Sequence, residues 1–243
     1  MSAGCYILSV LKTSGMLFFY GIFPYVCAAL LIQFLSGRLR ERLAAAFGMR
    51  IFAFVTAPGV AVHELSHAAA CIIFGHRISE MRLFSPQDDG TLGYVIHTYE
   101  PSCTYQRIGN FFIGTAPIVG GVSTLAILSA LLLPDNSAEN FLAVLISKGA
   151  WVRWQTWLWL YASICVASHI TLSVEDWRGA ADGVAVLVGV ILLFELLTAW
   201  HTGLQTAITV CLSRLFVISL PSLMMSVVLM SVLLLILPSR QKL

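Results

Sequence analysis

Residues Ile51 to Phe74 form an almost unbroken apolar run, and one pentapeptide inside it, His63-Glu64-Leu65-Ser66-His67, is out of keeping with its surroundings. A run of this length is what a helix needs to cross a hydrocarbon core ~30 Å thick. On a helix, positions i and i+4 share a face, so the imidazoles of His63 and His67 converge and can hold one metal ion. Glu64, one residue round from His63, is placed to hold and deprotonate a water there. H-E-x-x-H is the spacing of a metal-dependent hydrolase. The bland alternative is a pair of buried histidines packed for shape. A charge at the centre of a span costs ~3 kcal/mol and is seldom kept without a partner, which weighs against it.

Composition extends the membrane reading to the whole chain. Of 243 residues, 58% are hydrophobic and 11% charged, with a mean hydropathy of +0.87. Soluble domains carry about 25% charged residues, so most of this surface is expected to be solvated by lipid. A formal net charge of +2 with no Lys/Arg-rich run excludes nucleic acid as a partner. Cys5, Cys27, Cys71, Cys103, Cys165 and Cys211 form no C-x-x-C pair. They read as small core residues, not as a disulfide framework.

The pattern predicts an all-α, polytopic membrane bundle of about six spans, with a small β-hairpin inserted after the H-E-x-x-H helix. The first span covers Gly15 to Leu35, and a basic connector with Arg38, Arg40, Arg42 and Arg50 follows. The second runs from Ile51 to Gly75, the glycine ending it. Ile78 to Ser102 turns polar, β-branched and aromatic around Pro86-Gln87-Asp88-Asp89-Gly90, which reads as a hairpin with His76 and His97 on its surface. The third span, Gln106 to Leu133, is dense in Gly and Pro, and Pro134 to Ser137 breaks it. After a short apolar piece, Phe141 to Ile146, the fourth covers Trp151 to Leu172, its tryptophans reading as an interfacial belt. A loop, 173–179, leads to the fifth, Gly183 to Trp200, where Glu195 suits an ion pair with Arg214 or Arg153. The sixth, Ala207 to Leu237, is kinked or split at Pro221. The whole chain, 1–243, is expected to be one integral membrane domain in a cell inner or plasma membrane.

A catalytic zinc takes three protein ligands and keeps a fourth position open. The segment Ser168 to Gly183 offers His169, Glu175, Asp176 and Asp182 for the third. His169 and Asp176 are seven apart and would share a face if one helix ran through both.

The chain resembles the site-2 protease family of intramembrane zinc metalloproteases and related predicted membrane zincins. The matching residues are Val62 to Ala69 (VHELSHAA), the segment Gly114 to Gly121 (GTAPIVGG), similar to the family's A-G-P-x-x-N, and a later Asp followed closely by Gly. The resemblance covers roughly residues 51–200, leaving 1–50 and 201–243 as accessory membrane helices. It implies Zn²⁺ held by His63, His67 and an aspartate, with Glu64 as the catalytic base. It also implies a transmembrane or membrane-associated protein as substrate, unwound at the cleaved bond; the predicted hairpin, for its part, offers an edge that could receive the extended strand by β-addition. The family's aspartate precedes Gly in an N-x-x-P…L-D-G motif. Here Asp176 precedes Trp177, and the literal D-G is Asp182-Gly183. Asp176 is preferred because its distance from His169 approximates the family's Asn-to-Asp spacing. His169 then stands in the place of that Asn, as an oxyanion aid or an alternative ligand, and Asp182 is the other alternative.

Two further classes fit the same residues. A metal transporter or sensor would use the histidine pair without needing Glu64 as a base. A silent scaffold would need neither, and a homo-oligomer is compatible with all three readings. Orientation stays open, since the basic connector and the family resemblance place the site on opposite sides of the membrane.

Overall fold

In a computed structural model, the chain is described over residues 23–87, 89–133, 148–198 and 202–236, with isolated positions before these. The side chains of Arg40, Asp182 and Glu195 fall outside the described residues, as do 134–147 and His201. The protein is 79% helical with one small antiparallel sheet. Seven helices are described: α1 (Phe23–Phe47), α2 (Met49–Ile73), α3 (Thr104–Leu132), α4 (Lys148–Val152), α5 (Trp154–Ala167), α6 (Val174–Thr198) and α7 (Thr202–Ile236). Strands β1 (Arg77–Arg82) and β2 (Tyr94–Thr98) lie between α2 and α3.

The arginines expected in a connector belong to α1 instead. Arg38, Arg40 and Arg42 continue the helix because RLRERLAAA is built of strong helix formers. The chain turns only at Gly48, whose φ of 89° suits glycine. Arg42 donates from Nη1 to the Leu234 carbonyl, tying α1 to the end of α7. At the far end of α2, Gly75 takes φ 71°. The backbone N–H groups of Phe74, Gly75 and His76 donate to Ala70, Ile72 and Cys71, so the helix ends where the glycine predicts.

The hairpin forms as expected. Arg77 pairs with Thr98 and Ile78 with His97, then Ser79 is passed over as a bulge and Glu80, Met81 and Arg82 pair with Ile96, Val95 and Tyr94. Ile78 and Val95 pack on Ala70, Cys71, Ile113 and Ala116, which seats the sheet on α2 and α3. His76 is buried, not on the surface: its ring stacks on Tyr99 at 5.2 Å. His76 Nε2 donates to the Gln106 carbonyl at 2.8 Å, and Nδ1 lies 3.0 Å from His97 Nδ1. Burial, and then His76, holds the pKa of His97 below its ordinary value.

The main core gathers α1, α3, α5 and α7: Ile32, Leu35 and Leu39 meet Leu125, Val166, Ala167, Leu223 and Met230. The first helix is therefore an integral layer of the bundle. Two helices, Thr104–Leu132 and Thr206–Ile236, are long and apolar enough to cross a membrane. Six such spans are not reached among the described residues. At 14 residues α5 extends about 21 Å, short of a hydrocarbon core of ~30 Å. The last helix is assigned without a break through Pro221. The tryptophan belt is also incomplete: Trp154 and Trp157 are exposed, but Trp159 is fully buried.

Candidate metal centre

Each side chain of the centre is set by a local feature of the sequence. His63 and His67 occupy one face of α2, and Gly59 lies on that face one turn earlier. A Cβ at Gly59 would overlap the Cys165 carbonyl, so the missing side chain lets the end of α5 reach α2. The turn after α5 thereby falls beside His63, whose Nδ1 lies 2.8 Å from the His169 carbonyl oxygen. His67 Nδ1 lies 2.8 Å from the Ile113 carbonyl oxygen of α3.

A carbonyl oxygen only accepts, so each Nδ1 carries the proton and donates. In a neutral imidazole the other nitrogen is then a bare lone pair, and this fixes both tautomers. The two Nε2 atoms face each other at 3.2 Å.

Asp176 completes the group from α6. His169 and Asp176 do not share a helix: α5 ends at Ala167 and α6 begins at Val174. Nor is 173–179 a loop. Ser173-Val174-Glu175-Asp176 is a capping box, in which Ser173 Oγ accepts from the Asp176 N–H at 3.1 Å and Asp176 Oδ2 accepts from the Ser173 N–H at 2.7 Å. Oδ2 accepts the cap bond, and Oδ1 is turned to His67. Asp176 Oδ1 lies 3.3 Å from His67 Nε2, and Oδ2 lies 3.9 Å from His63 Nε2. Helix α6 comes this close because Gly114 has no side chain. A Cβ there would stand 2.6 Å from the Asp176 carbonyl oxygen.

His63, His67 and Asp176 thus each bring one ligand atom within 4.8 Å of the others and could hold a metal ion. Zinc bonded at ~2.0–2.1 Å in tetrahedral geometry needs ligand atoms ~3.3 Å apart, close to the separations found. The other two sequence candidates sit differently. His169 contributes its backbone carbonyl, while its ring Nε2 lies 3.0 Å from Thr56 Oγ1. Asp182 stands six residues beyond Asp176 on α6, about 120° round the helix, with its side chain outside the described residues.

Glu64 is 6% exposed and makes no hydrogen bond to the described residues. It abuts the hairpin at Gly93, where a Cβ would lie 2.8 Å from Glu64 Cγ. With His63 it lines a cavity of ≈ 650 Å³ bounded by α1, residues 89–93 and the 168–174 turn. The cavity thus reaches one residue of the three-ligand group, His63, together with the buried Glu64 carboxylate. No family model, characterised protein or solved structure matches this chain.

Proposed function

We propose that the chain is a zinc-dependent intramembrane endopeptidase, acting in the manner of the site-2 proteases it resembles, with membrane-protein segments as substrates. One observation carries this reading. Two histidines have their protonated nitrogens committed to carbonyls, so two lone pairs and an aspartate oxygen converge beside a buried carboxylate that makes no hydrogen bond to the described residues. Nitrogen and oxygen donors in a three-ligand set leaving one position open are the donor set of catalytic zinc. A zinc ion held there would acidify a water toward a pKa of ~7 and polarise a carbonyl.

The rest is the work of the chain. Glu64 takes the proton of the attacking water and delivers it to the leaving amine. The His169 and Ile113 carbonyls hold the two ligand rings in orientation, and the Ser173 cap holds Asp176. The polar cavity admits a chain that has left its own helix. In this reading the protein crosses the bilayer several times, and α3 and α7 are the helices that best meet the requirements of length and hydropathy.

Glu64→Gln tests the assignment. Zinc content should stay at that of the wild type while cleavage falls by ~10²–10⁴, the usual contribution of a positioned acid–base group. Cleavage surviving the change would rule out the mechanism. A transporter or sensor would keep its metal flux, because it has no use for the base.

A further inference from the structure

We infer that Gln33, on a helix outside the protease-like core, is the side chain that positions the substrate backbone over the centre. This rests on the endopeptidase reading and adds a binding residue to it. Helix α1 presents Gln33, Ser36 and Gly37 on one face, and all three line the cavity that contains His63 and Glu64. Its opposite side, through Ile32, Leu35 and Leu39, is locked into the main core. The helix is therefore a fixed wall of the cavity.

Its rotation is fixed as well. Ser36 Oγ donates to the Ser168 carbonyl at 2.6 Å, within a buried contact. Ser168 opens the turn whose next residue orients His63 and whose last caps Asp176. Gln33, one turn from Ser36, is thus held in register with two of the three ligands.

The polar side chains of the cavity sort into two sets. Ser36 is spent on Ser168, Ser168 on Cys165, His63 on His169, His169 on Thr56, Asp89 on Thr91 and Ser173 on Asp176. Thr91 is spent on Asp89, so Gln33, Glu64 and Thr171 are the lining side chains with no hydrogen bond to the described residues. Glu64 has its chemical role. Of the others, only Gln33 offers a primary amide, with two N–H donors and a carbonyl acceptor. That is the complement of one peptide unit. It interrupts an apolar run from Met16 to Leu35 and stands half-buried in the cavity wall. A peptide backbone laid in the cavity would supply the missing partners, and it would be recognised whatever its side chains.

The test uses the full chain, zinc-loaded in detergent, with two probes: acetohydroxamate, which reaches only the metal, and a tripeptide hydroxamate, which adds a backbone. Gln33→Leu should weaken the tripeptide hydroxamate by ~5- to 30-fold, the worth of one or two hydrogen bonds, and leave acetohydroxamate unchanged. Gln33→Met, which keeps the length of the side chain, should behave the same. Equal affinity of wild type and both variants for the tripeptide probe would overturn the inference. So would a parallel loss for both probes, which would make Gln33 structural. A wild type that binds both probes with the expected difference yet cleaves none of a panel of membrane-protein segments in detergent would sink the protease reading and leave the Gln33 assignment standing. A wild type that binds neither probe would remove both.

Discussion

Two polar clusters among the described residues of this largely apolar bundle are built on opposite principles. The first is the His63–His67–Asp176 group. The second joins α3, α5 and α7: Trp159 Nε1 donates to Ser222 Oγ at 2.9 Å and Ser129 Oγ at 3.2 Å. The two serine oxygens are 2.5 Å apart, and Ser129 Oγ donates onward to the Leu125 carbonyl. Ser226 Oγ bonds the Ser222 and Ser163 carbonyls. In this knot donors and acceptors alternate, with Ser163 Oγ its one loose end among the described residues. In the first cluster the protons are all spent outward and the acceptors face inward. A proton added to one Nε2 would relieve some of those contacts and leave the rest opposed. A divalent cation relieves them all. A matched polar knot is glue between helices. An unmatched one of this kind could hold a metal ion.

The largest effect should come from breaking the knot. Trp159→Ala removes a fully buried indole and the N–H that both serines accept, and should cost ~3–5 kcal/mol of stability, read by unfolding in mixed detergent micelles. Zinc per folded chain should not change. A cost under ~1 kcal/mol would mean that Trp159 is not core, contrary to its complete burial.

Asp176→Ala is the counterpart at the site. Losing a ligand should exceed the ~10–100-fold that loss of a supporting residue costs, so zinc affinity should fall by more than ~100-fold. Stability of the metal-free protein should fall by no more than ~1 kcal/mol, since the bond from the Ser173 N–H is lost while an acceptor leaves an electron-rich cluster. Asp182→Ala should retain the metal. If the two variants exchanged behaviours, the capping box would be only a helix start, and the third ligand would lie further along α6.

These two cases show what could be read from the chain. The histidine pair was legible because helical periodicity alone brings residues four apart together. Asp176 was legible as a candidate, but one helix running from His169 to it is the wrong reason. The correct signal was also present: Ser173 followed three residues later by Asp176 is a helix start, and it disposes of the predicted loop. The His169 and Ile113 carbonyls were not legible, because every residue has a carbonyl and only tertiary packing aims one. Trp159 was misread because tryptophans at a span's end usually anchor at the interface. Its neighbours Thr156 and Ser163, three before and four after it, mark an inward polar stripe that distinguishes it from Trp154 and Trp157. The count of six spans treated apolar length as sufficient. Arginines continue α1 where a loop was expected, and α5 is shorter than a bilayer requires.

Ser173→Ala sits between the two clusters in size. It removes an N-cap, worth ~1 kcal/mol, and frees Asp176 from the cap that orients it. Zinc affinity should fall by ~10–100-fold, as for loss of a supporting contact. Ser173→Thr should restore most of both. A cap lost without any change in zinc affinity would show that Asp176 is held by the packing of α6 against Gly114 instead.

The smallest effect belongs to Ser222→Ala, and its smallness is the point. Hydrogen bonds between helices in a bilayer average ~0.6 kcal/mol, because the alternative state also finds partners. Removing the Ser222 hydroxyl leaves Trp159 Nε1 with Ser129 Oγ at 3.2 Å, and Ser129 with the Leu125 carbonyl at 2.8 Å. No donor is stranded, so the loss should stay below ~1 kcal/mol. The equivalent deletion of one acceptor at the metal centre changes what the group can hold. In the knot it only shortens a chain of bonds. A loss above ~2 kcal/mol for Ser222→Ala would mean that the hydroxyls act as one cooperative unit. The contrast between a redundant cluster and an irreplaceable one would then have to be drawn from metal affinity alone.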